Sequence, residues 1–113
     1  MSRRKSGSVT TRPLEVRWTE RALKDLRAIG DYIARDSPEA AERWVATLLA
    51  AAEAAAATPM AGRRVPELRR DDVREVFRKS YRIVYRLREH TLEVLTVFEG
   101  HRLFRRDTVP EEP

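Results

Sequence analysis

The apolar residues of this chain change their period partway along, and that change restricts the fold more than any other feature. Between Ala22 and Ala56 they recur at spacings of three and four, whereas between Val73 and Phe98 they alternate or run together. The first pattern draws a stripe along a helix; the second lines one or both faces of a strand. Two amphipathic helices followed by strands bury both apolar surfaces only as layers, which predicts an α+β domain.

Punctuation marks bound the elements. Leu14, Val16 and Trp18 alternate with Glu15 and Arg17, a short strand with one buried face. Thr19 then stands at an N-cap position, with Glu20 suited to the positive end of the helix dipole. Ala22, Leu26, Ile29 and Ile33 form the first stripe, and Gly30 within it permits close approach of a neighbouring element. Ser37-Pro38-Glu39 restarts a helix, with Ser37 as cap and Pro38 in the first turn. Ala41, Trp44, Val45, Leu48, Leu49, Ala52 and Ala56 make the second stripe, and Thr58-Pro59 ends it. The linker between the helices is so short that they must form an antiparallel hairpin.

Met60 to Asp72, with Gly62 and Pro66, reads as a long loop. Three strands follow: Val73 to Arg78, Tyr81 to Leu87, and Leu92 to Phe98, the last apolar enough to be covered on both faces. The expected architecture is therefore two-layer β-α-α-β-β-β, an αα-hairpin packed on one face of a mainly antiparallel four-stranded sheet. Residues 1–13 read as a flexible basic arm whose Arg3, Arg4 and Lys5 are able to touch phosphates, 14–104 as a single domain, and 105–113 as a frayed tail.

The chain has 113 residues, enough for one domain with a modest core. It has no Cys and only two His, which excludes disulfides, thiolate metal sites and a His-rich metal centre. No apolar run approaches a membrane span, and residues 1–13 lack the apolar core of a secretory signal, so the expected location is the cytoplasm. Lys and Arg number 23 against 18 Asp and Glu, a net charge of +5 that points to a polyanion or an acidic protein as partner.

Alternation along Tyr81 to Leu87 places Tyr81, Ile83, Tyr85 and Leu87 on one face and Arg82 and Arg86 on the other, with Arg88 next in line. With Arg74 and Arg78 from the preceding strand, and Arg102 after the last, these arginines are expected to form a cationic floor away from the helices. A solvated charged face balanced by Glu75, Glu93 and Glu99 is the plainer alternative. His101 beside Arg102 is the one titrating group suited to moving a proton, with Arg82 and Arg102 to stabilise a phosphate; an ordinary surface His is the competing explanation. His90 reads as a turn residue. There is no glycine-rich phosphate loop, no carboxylate pair at metal spacing, and no cofactor motif.

Several of these segments resemble the RelE/ParE toxin superfamily of type II toxin–antitoxin systems. Val16-Arg17-Trp18-Thr19, Asp25-Leu26, Tyr32-Ile33, Ser37-Pro38-Glu39-Ala40-Ala41 and Pro59-Met60-Ala61-Gly62-Arg63 follow its order, as do Arg74-Glu75, Tyr81-Arg82-Ile83-Val84-Tyr85 and Gly100-His101-Arg102. The similarity runs from about Leu14 to Phe104. It implies the same β-α-α-β-β-β fold and a cognate antitoxin, ParD-like or other, covering the arginine-bearing surface.

It also implies one of two activities. ParE-like members act on DNA gyrase and are not nucleases. RelE-like members are metal-independent mRNA interferases working on the ribosome, a role that would fall here to His101, Arg82 and Arg102. RelE-like nucleases usually carry a Tyr near the C-terminus and a central Lys or Glu base. Here Thr108 stands near the Tyr position and no Tyr follows Tyr85. These departures, and the long second helix with its Pro59/Gly62 exit, are more similar to ParE. A non-toxic, partner-binding member is the third possibility.

Overall fold

The computed structural model describes residues 13–102 and 104–111. Its elements are β1 (Glu15–Trp18), α1 (Glu20–Ala34), α2 (Pro38–Ala57), β2 (Arg63–Arg64), β3 (Val73–Arg78), β4 (Tyr81–Leu87) and β5 (Thr91–Glu99). One-turn 3-10 helices occupy Pro59–Ala61 and Arg106–Thr108. The basic arm expected over 1–13 lies, but for Pro13, outside the described residues.

The caps are where local chemistry requires them. The Thr19 hydroxyl accepts from the Ala22 N–H at 3.1 Å and donates to the Leu95 carbonyl at 3.2 Å, so one side chain starts α1 and ties it to the sheet. The Ser37 hydroxyl accepts from the Ala40 N–H, with Pro38 opening α2. At Gly30 a Cβ would meet Val45 Cγ2 at 3.2 Å, so the two helices approach closely there.

The sheet has five strands, not four, in the order β1-β5-β4-β3-β2. The additional strand is β2, which lies in the segment expected to be loop and pairs Arg63 with Glu75 and Arg64 with Arg74. Two residues carry no period, which is why it leaves no trace in the sequence. The β1–β5 pair is parallel and the others antiparallel.

Two apolar clusters cover the two faces. On the helix side, Ala22, Leu26, Leu48, Ala52 and Ala56 pack on Ile83, Tyr85, Leu92, Val94 and Val97. Leu49, placed on the apolar stripe from spacing, is 40% exposed instead. On the far side, Val65, Val73, Val84 and Leu95 are buried beneath Leu68, Phe98, Phe104 and Val109. A bulge explains how β5 serves both. Tyr85 pairs with Val94 and Val84 with Thr96, leaving Leu95 as the extra residue, so Val94 and Val97 both enter the helix-side core. Within the tail expected to fray over 105–113, Val109 joins the far-side cluster and the Pro110 carbonyl accepts from Arg70 at 2.8 Å, while 112–113 lie outside the described residues.

Candidate functional site

The expected cationic floor is not an open arginine face. Strand register separates its members. Arg74 lies opposite Tyr85 and Arg78 opposite Tyr81, which places both on the helix side, whereas Glu75 and Phe77 share the far side with Arg82 and Arg86. Alternation could not decide this, because Val73 and Val76 are apolar on opposite faces of β3. Arg74 donates to the Gly62 carbonyl at 2.9 Å and to the Asp71 carbonyl at 3.0 Å, and Arg78 to the Phe77 carbonyl at 2.9 Å. Arg86 is 8% exposed and pairs with Glu93 at 3.1 Å. Arg88, after β4, is exposed and its N–H closes the turn on Thr91.

Arg82 is the centre of a buried ion cluster. It is 6% exposed, and its Nε donates at 2.8 Å to Glu75 Oε1, which also accepts from Nη2. Glu75 is itself 1% exposed and binds Arg63 through its other oxygen. The outer nitrogens of Arg82 reach Glu67 at 3.3 and 3.5 Å. Three rings surround the guanidinium, with the Phe98, Phe104 and Phe77 centroids at 5.1, 5.7 and 5.9 Å. Burial works against its charge, yet the hydrogen bonds and charges of Glu75 and Glu67 outweigh it and raise its pKa above the usual arginine value. Glu67 responds in kind: burial disfavours its ionisation, but a backbone hydrogen bond and Arg82 hold its carboxyl below the ordinary glutamate range.

Arg102 lies elsewhere. It lines a cleft of about 530 Å³ between α1 and the second half of β5. β1 pairs only with Thr91 to Val94, so beyond that point β5 has no strand neighbour on the edge away from β4. Asp25 fills the gap from α1: one carboxylate oxygen accepts from the Thr96 hydroxyl at 2.6 Å and the Val97 N–H at 3.0 Å, and the other from Arg21 at 3.0 Å. Ile29 and Val97 make part of the wall, Tyr32 and Tyr81 the aromatic part, and Arg102 and Arg105 the cationic part. Burial, then the charges of Glu99 and Tyr32, raise the Tyr81 pKa. Arg105 pairs with Asp107, whereas the exposed Arg102 side chain makes no ion pair among the described residues. His101 is exposed in the turn after β5 and does not line the cleft.

The three residues singled out as a catalytic set sit in different surroundings. Arg82 is neutralised on the far face, Arg102 opens into the cleft, and His101 stands outside it. The Tyr position near the C-terminus is Thr108, whose hydroxyl donates to the Arg105 carbonyl at 2.7 Å. Among the described residues no group of acidic or His side chains could hold a metal ion, and no helix is long and apolar enough to cross a membrane. Spacing missed Glu67 and Asp25, which act through long-range contacts, and treated Glu75 only as a balancing surface charge.

Comparison with known proteins places this geometry. The chain is 40% identical over 88 residues to the putative toxin Y4kP of Sinorhizobium fredii, covering 76% of this chain and 88% of that protein. It is 51% identical over 49 residues to toxin RelE2 of Caulobacter vibrioides, covering 43% of this chain and 56% of that protein. Among solved structures, a chain of the chromosomal ParDE toxin–antitoxin system of P. aeruginosa matches with a TM-score of 0.64 at 21% identity, over 76% of this chain and 95% of that one. A chain of the toxin–antitoxin complex RelBE2 of Mycobacterium tuberculosis matches with a TM-score of 0.58 at 25% identity, over 77% and 98%. The family described as the ParE toxin of the type II toxin–antitoxin system parDE matches residues 16–104. The two-helix, mixed-sheet chain thus belongs to the ParE toxin family, a type II toxin of the RelE/ParE superfamily.

Proposed function

We propose that this toxin acts on DNA gyrase and is neutralised in the cytoplasm by a cognate antitoxin. The observation that carries this reading is the state of Arg82. A phosphate-stabilising arginine needs a free guanidinium edge facing the reacting group. Arg82 instead spends its charge on Glu75 and Glu67 and is 6% exposed. Arg102 and His101 without it offer no paired general acid and base. Of the arginines assigned to partner binding (Arg74, Arg78, Arg82, Arg86 and Arg102), Arg102 is the one whose side chain has no hydrogen bond or ion pair among the described residues. Its cleft, with Tyr32 and Tyr81, suits an acidic, partly apolar protein segment.

Purified protein assayed in parallel for gyrase supercoiling and for in vitro translation tests the proposal. Inhibited supercoiling with intact translation is expected; the reverse outcome sinks it. The local identity to toxin RelE2 favours keeping the mRNA interferase as the second reading. Under that reading His101→Ala abolishes mRNA cleavage and relieves growth arrest. Harmless expression of the chain without any antitoxin would instead mark a non-toxic, partner-binding member.

A further inference from the structure

The two carboxylates on Arg82 are not equivalent. Glu75 is 1% exposed, accepts from both Nε and Nη2, and is anchored a second time by Arg63. Glu67 lies in the segment between β2 and β3, its side chain is 39% exposed, and its contacts with Arg82 are 3.3 and 3.5 Å, at the long limit of a hydrogen bond. The guanidinium has five donors in a fixed fork. Its inner edge is tightly held by the strand and its outer edge loosely held by a solvent-exposed side chain.

Charge gives the same asymmetry. With Glu67 in place, Arg82 and Arg63 balance Glu67 and Glu75. When Glu67 swings out, two cations face one anion, in a pocket walled by Phe77, Phe98 and Phe104 where water cannot substitute well. Arg106, which donates to the Glu67 main-chain carbonyl, adds a further cation nearby. Among the described residues Glu67 and Glu75 are the two acids that reach Arg82, and Glu67 is the one on its outer edge.

We infer that the outer edge of Arg82 is a carboxylate-binding site, held by Glu67 in the free protein and taken over by an acidic side chain of the antitoxin when the two proteins associate. The inference rests on the antitoxin reading above for the identity of the partner, but not for the existence of the site. A planar carboxylate is the ligand that the fork already accepts from Glu67.

The site is tested with hexaglutamate as probe, titrated into the full chain at low salt and followed by calorimetry and by the Arg82 Nε–Hε NMR signal. Glu67→Gln should bind hexaglutamate at least about tenfold more tightly than wild type, with the Arg82 signal shifting on addition. Glu89→Gln, which removes the same charge from an exposed turn, should leave affinity within about twofold of wild type. Equal responses from the two variants, or an unmoved Arg82 signal, would overturn the site. A larger gain for hexauridylate than for hexaglutamate would overturn the carboxylate assignment in favour of phosphate. Failure of the toxin reading shows separately, as normal growth of cells expressing the wild-type chain, and leaves the titration unaffected.

Discussion

The two faces of the sheet are built on different physics. The helix side is a broad apolar layer in which small residues of α2, such as Ala52 and Ala56, let the helix lie close to Tyr85 and Leu92. Its stabilisation comes from area removed from water and from close packing. Among the described residues the far side has a smaller buried cluster of four residues beside a network of Arg82, Glu75, Glu67 and Arg63. There, two covering segments, 65–72 and 104–110, are held by the packing of Val65, Leu68, Phe104 and Val109 together with polar contacts, Arg70 donating to the Pro110 carbonyl and Arg106 to the Glu67 carbonyl. An apolar layer tolerates substitution of similar volume, whereas an ion network fails when one member is lost.

The largest expected effect tests the apolar side. Leu48 is fully buried, and Leu48→Ala should cost about 3–5 kcal/mol in denaturant unfolding. A loss below about 1 kcal/mol would mean that the helix layer is not the main source of stability. Glu75→Ala tests the ionic side: it leaves the Arg82 guanidinium buried with only Glu67, and should cost about 3 kcal/mol. If Glu75→Ala is neutral, the two faces do not differ in the way described.

Gly62→Ala follows. A Cβ there would stand 2.1 Å from the Tyr85 hydroxyl, which donates to the Pro59 carbonyl at 3.0 Å, so a clash and a disturbed hydrogen bond should together cost about 1–3 kcal/mol. Thermal unfolding measures it directly, and an unchanged melting temperature would show that the 59–64 connection yields easily.

The smallest effect is acid dependence. Glu67 has its folded pKa below the ordinary value of 4.5, so its stabilising contribution is fully present above that value and is lost as pH falls through the folded one. Solvent screening at this exposed side chain keeps the effect under about 1 kcal/mol. Glu67→Gln should flatten that part of the stability–pH curve; an unaltered curve would remove Glu67 from the network.

The same contrast decides what could be read from the sequence. The helix side was legible because its signals are local and repeated: the stripes of α1 and α2, the Thr19 and Ser37 caps, and the alternation of Tyr81, Ile83, Tyr85 and Leu87. The far side was not. The two residues of β2 have no period, the phase of β3 is ambiguous between Val73 and Val76, and the Leu95 bulge breaks the alternation of β5. Arg82 and Arg86 were correctly placed on the face away from the helices, but their burial depends on segments whose docking involves Glu67, Phe104 and Val109. Such contacts join residues distant in sequence, and spacing cannot predict them. Arg102 and His101 were named from the sequence as individual residues, and the cleft that takes in one and leaves out the other lies where β1 has stopped.

The most direct test of the gyrase reading is supercoiling measured with the wild-type chain and with His101→Ala. Both proteins should inhibit supercoiling equally, and both should arrest growth when expressed without antitoxin. Loss of growth arrest in His101→Ala, together with mRNA cleavage by the wild type and undisturbed supercoiling, would contradict the gyrase reading.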